Sequence, residues 1–201
     1  MKLYYCPGAC SLSPHIVLQE TGAAYTLVKV DLQHKKIETG QDFYTINPKG
    51  YVPALQLDNG QVLTEGPAIV QYLADQHPQA GLAPAAGTLE RARLQEWLNY
   101  IATELHQSFG PLFHPASEEE KQKTIVAIKQ KLRFVAGQLA GKTYLLGDRF
   151  SVADAYLFTV LGWAGAVRMD MSDIPVLQQY HARILGRPAV KAAMQQEGLI
   201  K

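Results

Sequence analysis

The 201-residue sequence holds two cysteines, Cys6 and Cys10. That is too few for a disulfide-stapled scaffold, and their spacing is neither the C-x-x-C of redox motifs nor half of a zinc site. Charge of one sign is also missing: 19 Lys and Arg stand against 18 Asp and Glu, which leaves no broad electrostatic footprint for nucleic acid or an anionic membrane. No apolar stretch reaches the roughly 18 residues of a transmembrane helix. Pro7 and Gly8 arrive before the apolar region of a secretion signal could form. His15, His34, His77, His114 and His181 show no metal-ligand spacing. Internal repeats and low-complexity tracts are absent as well. The expectation is a cytoplasmic protein with free thiols and a substantial core, whose partner is a small molecule and not nucleic acid, a membrane or a metal.

The chain changes character near residue 80. Before it, Lys2–Tyr5 reads as a short strand, and Ser11 as the cap of a helix with Pro14 in its first turn and Gly22 at its end. Tyr25–Val30 reads as a second strand. After the turn Asn47-Pro48-Lys49-Gly50 come a strand over Val52–Leu57, a hairpin turn at Asp58-Asn59-Gly60 and a returning strand over Gln61–Leu63. A helix from Glu65 to about His77, with Pro67 in its first turn, follows. This order places a parallel pair beside a hairpin in one small mixed sheet. Gly81–Gly87 has the composition of a linker, and after it no strand signal appears.

The remainder is helical. Leu94, Leu98, Ile101 and Leu105 form one apolar stripe, and Ile125, Ile128, Leu132, Val135 and Leu139 another. Both are core faces. Ser117-Glu118-Glu119-Glu120 and Ser151-Val152-Ala153-Asp154 are capping boxes, and the second opens a nearly uncharged helix that should be buried.

Four places carry possible chemistry. Cys10 lies where the first strand gives way to the first helix; unpaired N–H groups there favour an anion, which predicts a lowered thiol pKa, although an inert buried cysteine fits the position equally well. Cys6, at the strand's end, reads as packing. Val52-Pro53 can be a cis bond that leaves the backbone of Val52 free to pair with an extended peptide, or an ordinary edge proline. Thr64-Glu65-Gly66-Pro67 offers an acid and a free N–H at one helix start, which suits both ionic groups of an amino acid headgroup or is simply a helix cap. Asn99, Thr103 and His106 follow at spacings of four and three and share one helix face, which reads equally as a cleft wall or as a solvated face. His106 can exchange hydrogen bonds with a thiol near neutral pH, or can simply be packed, as a lone histidine more often is.

Taken together, Tyr5-Cys6-Pro7-Gly8-Ala9-Cys10-Ser11, Asn47-Pro48-Lys49-Gly50-Tyr51-Val52-Pro53-Ala54-Leu55, Thr64-Glu65-Gly66 and Phe150-Ser151-Val152-Ala153-Asp154 resemble the glutathione S-transferase family over essentially the whole chain. The first of these, with Cys10, resembles the bacterial Beta class. The resemblance implies an α/β plus all-α architecture: a thioredoxin-like glutathione-binding domain over residues 1–80, a linker over 81–87 and an all-helical bundle domain over 88–201. It implies a homodimeric detoxification enzyme with glutathione as co-substrate and no metal. By the same resemblance Cys10 faces the glutathione sulfur, Val52 pairs with the cysteinyl unit, Lys35 neutralises the glycyl carboxylate, and Glu65 and Gly66 hold the γ-glutamyl headgroup. Asn99, Thr103, Glu104 and His106 line a wall, with Cys10 and His106 catalytic. Many relatives have serine at the position of Gly66. Tyr5 and Ser11 are rival donors to the sulfur. A glutathione-dependent thiol-disulfide oxidoreductase, a dehalogenase-like enzyme and a non-catalytic binding protein are the alternatives on the same fold.

Overall fold

Alternation in the short strands sorts their side chains onto two faces. Leu3 and Leu55, paired across the sheet and without exposed surface, lie on one face. Their neighbours Tyr4 and Ala54 turn to the other, into a cluster with Val30, Ile37, Phe43 and Val52. The computed structural model describes residues 1–201 and places these strands in one five-stranded sheet of order β3-β2-β1-β4-β5. The strands are β1 (Lys2–Tyr5), β2 (Thr26–Asp31), β3 (Lys36–Ile37), β4 (Ala54–Gln56) and β5 (Val62–Thr64).

β1 and β2 are parallel, with Lys2 opposite Thr26, and every other pair is antiparallel. The expected parallel pair beside a hairpin is therefore present, the hairpin closing through Gly60 at φ 83°. β3 was not legible: two residues held by pairs at Val30–Ile37 and Asp31–Lys36 leave no period to read.

Helix α1 (Leu12–Thr21) ends at Gly22, in the left-handed region as its position predicts, and α2 is Gly66–Gln76. Every residue of α1 from Leu12 to Leu18 is buried, because it is covered on more than one side. One cover is unexpected. The chain divides into two compact units, Met1–Gly81 with Gly186–Lys201, and Leu82–Leu185. The last 16 residues therefore depart from the boundary at residue 88: helix α8 (Pro188–Gln196) packs on α1. Arg187 grips Glu20 through two bonds of 2.6 and 2.9 Å, and buried Glu197 meets buried His15 at 2.9 Å. Side-chain contacts between distant segments have no sequence period, which is why the return was missed.

The second unit holds α3 (Leu89–Tyr100), a π-helical turn over Ile101–His106, α4 (Gln107–Phe109), α5 (Glu118–Gln138), α6 (Val152–Ala166) and α7 (Pro175–Leu185). Leu94, Leu98, Ile101 and Leu105 are buried as the stripe requires, and so are Ile128, Leu132, Val135 and Leu139, while Ile125 at the end of the second stripe is half-buried. The expected linker is no free tether. Leu82 is buried and its carbonyl accepts from Val152 N at 3.0 Å, while Arg91 Nε donates to the Pro84 carbonyl at 2.8 Å.

Both capping boxes form. At Ser117 the hydroxyl accepts from Glu120 N at 3.2 Å, and the Glu120 carboxylate accepts from Ser117 N at 2.9 Å. Asp154 does more than cap α6. Fully buried, its carboxylate accepts from Ser151 N (2.8 Å), Ser151 Oγ (2.7 Å), Leu145 N (2.8 Å) and Tyr180 Oη (2.7 Å). Burial raises its pKa and those donors oppose the rise.

Candidate active site

The loop between β1 and α1 closes on itself. The Ser11 hydroxyl accepts from Cys6 N at 3.1 Å and donates to the Cys6 carbonyl at 3.2 Å, so it does not cap α1 as expected. The backbone of Ser11 is already helical, and the N–H groups of Leu12 and Ser13 find the carbonyls of Ala9 and Cys10 at 3.0 and 3.2 Å. Those two N–H groups are therefore spent, and the N–H groups of Cys10 and Ser11 are the ones left toward the thiol. The Cys10 thiol itself donates to the Val52 carbonyl at 3.2 Å.

Removal from water then dominates its titration: burial pushes the Cys10 thiol up to about 12, against the weaker opposing pull of the Cys10 and Ser11 N–H groups. A helix-start position predicts an acidic thiol; the structure gives a neutral one. Both cysteines are free. Burial also raises Cys6, which packs against the Tyr4–Phe43–Val52 cluster. Of the rival donors, Ser11 is buried and engaged with Cys6, while burial raises the phenol of Tyr5 and keeps it, like Cys10, in its neutral form.

Val52 belongs to a loop that gathers the other predicted groups of this unit. Val52-Pro53 is cis. Asn47 ties the loop across, its amide donating to the Tyr51 carbonyl at 2.7 Å while its side-chain oxygen accepts from Lys49 N at 3.2 Å. Lys35, at φ 54°, extends its ammonium to the Gly50 carbonyl at 2.9 Å and lies 5.1 Å from the centroid of the exposed Tyr51 ring.

Lys49 reaches the other way, to Thr64 Oγ1 at 2.8 Å and to the carboxylate of Glu65. Glu65 precedes α2 at φ 68°, ψ 113°, a conformation that costs a non-glycine residue of order 1–3 kcal/mol. Its carbonyl accepts from Ala68 N and Ile69 N, both at 3.0 Å, which holds it there. Strain of this kind concentrates at functional positions. Beside it, a Cβ on Gly66 would meet only Pro53 Cγ at 3.9 Å. The contact of Lys49 with Glu65 was not legible in the sequence, where Asn47-Pro48-Lys49-Gly50 reads as a turn and nothing more.

In the second unit Asn99 lies on α3, and Thr103, Glu104 and His106 lie in the π-helical turn over Ile101–His106. Asn99 and Thr103 are exposed and joined by a 3.0 Å bond from Thr103 Oγ1 to the Asn99 carbonyl. Glu104 pairs with Lys131 at 3.0 Å, and the same ammonium donates to the Glu104 carbonyl and to Ser108 Oγ at 3.0 and 2.8 Å. His106 turns to α6: Nδ1 lies 2.6 Å from Tyr156 Oη, and the ring meets Trp163 edge-on at 4.7 Å. Burial lowers its pKa, so it stands neutral near pH 7. Trp163 also meets Phe109 and Phe113, each at 5.7 Å, which gives an aromatic cluster around the imidazole.

Among the described residues no cluster of His, Cys, Asp and Glu could hold a metal, and no helix is long and apolar enough to cross a membrane. The models of the glutathione S-transferase N-terminal and C-terminal domains match residues 7–76 and 100–188. The chain is 49% identical over 200 residues to the glutathione S-transferase GstA of Escherichia coli O157:H7, covering 99% of this chain and 100% of that protein. A sphingomonad glutathione S-transferase, solved in complex with glutathione, is 51% identical with a TM-score of 0.95 and full coverage of both chains. The beta class glutathione S-transferase of Sphingomonas chungbukensis is 53% identical with a TM-score of 0.96 and equally full coverage. With both halves of the fold and the loops at Cys10, Val52 and Glu65 in place, this chain belongs to the glutathione S-transferase family and, within it, to the bacterial Beta class.

Proposed function

We propose that the protein is a cytoplasmic, homodimeric glutathione transferase that stabilises the glutathione thiolate and adds it to small hydrophobic electrophiles. The observation that carries this reading is the Cys10 thiol held neutral on the Val52 carbonyl, in the loop that also gathers Lys35 and Lys49, with Glu65 on Lys49. A neutral thiol donates a hydrogen bond and does not repel an anion, so Cys10 suits the glutathione sulfur as a donor better than as a competing nucleophile. Cys10 would exchange Val52 for that sulfur, which frees the backbone of Val52 to pair with the cysteinyl unit. Glu65 would accept the γ-glutamyl ammonium in place of Lys49, the Gly66 N–H would meet its carboxylate, and Lys35 would neutralise the glycyl carboxylate.

In the reaction, the glutathione thiol gives its proton to solvent and its sulfur forms a bond to the electrophilic carbon as the leaving group departs. Cys10 lowers the energy of the anion that attacks. Of Asn99, Thr103, Glu104 and His106, the last has the chemistry for a catalytic part: its neutral ring, held through Nδ1 by Tyr156, keeps Nε2 for a hydrogen bond. The relatives known in complex with glutathione support the co-substrate.

The test is steady-state turnover of glutathione with a generic aryl halide, beside a mixed-disulfide substrate and light scattering. Conjugation that weakens in Cys10→Ser, from a particle of twice the chain mass, is the expected result. Turnover of the mixed disulfide alone would move the assignment to an oxidoreductase.

A further inference from the structure

The Cys6–Ser11 loop is fastened at its base by Ser11, whereas its tip is held from outside by the last residues of the chain. Gly8 takes φ 72°, and its N–H donates to Glu197 Oε2 at 2.9 Å. The other oxygen of that carboxylate meets His15 Nδ1 at 2.9 Å, with both side chains fully buried. Leu199 covers the other approach: a Cβ on Gly8 would lie 3.4 Å from its Cδ2. His15 is fixed in turn, its Nε2 lying 3.0 Å from Tyr25 Oη and 2.8 Å from Gln196 Oε1.

Glu197 joins the end of α8 to α1 through His15, yet α8 by itself gains nothing from it. It caps the C-terminal end of α8, where the helix dipole disfavours an acid, and burying a carboxylate is costly even when it is paired. An apolar side chain would serve α8 better. Besides its contact with His15, the carboxylate supplies an acceptor for one N–H in the loop that carries Cys10, two residues beyond Gly8.

We propose that Glu197, oriented by His15, is a positioning residue for Cys10: through Gly8 it fixes the loop so that the thiol points at the glutathione sulfur. This rests on the reading of Cys10 as the donor to that sulfur. The experiment compares Glu197→Ala, Glu197→Gln and Leu199→Ala with the parent in three readouts: kcat and KM for glutathione, the rate of Cys10 alkylation by iodoacetamide without glutathione, located by peptide mapping, and Tm. In Glu197→Ala the loop is released. Cys10 alkylation rises and kcat falls, each about tenfold, the size of one lost hydrogen bond to a charged group, while KM stays within about twofold.

Glutamine keeps an oxygen for the Gly8 N–H, so Glu197→Gln lowers Tm yet restores near-parental kcat and alkylation. Leu199→Ala, which alters a partly exposed side chain, raises alkylation about two- to threefold, and it answers the question if Glu197→Ala does not fold. A lower Tm with unchanged alkylation and kcat, or equal effects of alanine and glutamine, would overturn the proposal. If alkylation responds as stated but glutathione supports no turnover in any protein, the positioning stands and the reading of Cys10 falls.

Discussion

The two units hold their polar groups by different means. In the first, Cys10, Lys35 and Glu65 are placed by loops bonded to one another, Cys10 to Val52, Lys35 to Gly50 and Glu65 to Lys49. In the second, Glu104 and His106 are placed by one helix, and a single π-helical turn decides where each points. Loop contacts can exchange a protein partner for a ligand. The His106 imidazole is instead held against α6 by packing, so contacts that a partner could replace lie in the first unit and packed ones in the second.

The sharpest way to break this comparison is to remove the anchor of the second unit. Asp154→Ala leaves buried donors on Leu145, Ser151 and Tyr180 without their acceptor, and we expect a loss of about 3–5 kcal/mol in urea unfolding. A loss within the range of an ordinary cap, about 1 kcal/mol, would mean that Asp154 does no more than start α6. In the first unit, Glu65→Ala removes an exposed acceptor and should leave folding nearly intact. Its effect belongs to binding: calorimetry should show glutathione affinity weaker by about 1.5–3 kcal/mol, roughly tenfold or more. Unchanged affinity would exclude this headgroup site.

A smaller effect should come from serine at position 66. The space beside Gly66, with Pro53 Cγ at 3.9 Å from an added Cβ, admits the side chain, and its hydroxyl should tighten glutathione by about 0.5–1.5 kcal/mol. Weaker binding would show that the glycine is required by the ligand. The smallest effect is in acid. His106 has its folded pKa depressed by burial, so its contribution to stability is present above pH 6.5 and is lost as pH falls through the folded value. His106→Asn should flatten part of the acid limb of Tm against pH. An identical limb would place the ring in water.

The fold was legible where local signals repeat. Strand β1, the Gly22 and Gly60 turns, both apolar stripes and both capping boxes follow from period and turn chemistry. The return of α8 to α1 was not, since Arg187–Glu20 and His15–Glu197 join residues more than 160 positions apart. At the site, residue identities could be read but their environment could not. A cysteine at a helix start reads as acidic until the carbonyl of Val52 and the loss of water are seen; Lys49 reads as part of a turn until Glu65 is beside it.

The central claim is that Cys10 is a neutral donor to the glutathione sulfur. It is tested most directly by an ultraviolet thiolate titration of the Cys6→Ser protein, with and without glutathione. Alone, the protein should show no Cys10 thiolate until the pH approaches about 12. The stability that the neutral thiol contributes should be complete below pH 9 and lost as pH rises through about 12. With glutathione added, a thiolate band should appear at lower pH than for glutathione free in solution, and Cys10→Ser should weaken that shift. A thiolate on Cys10 near pH 7 in the protein alone would contradict the account.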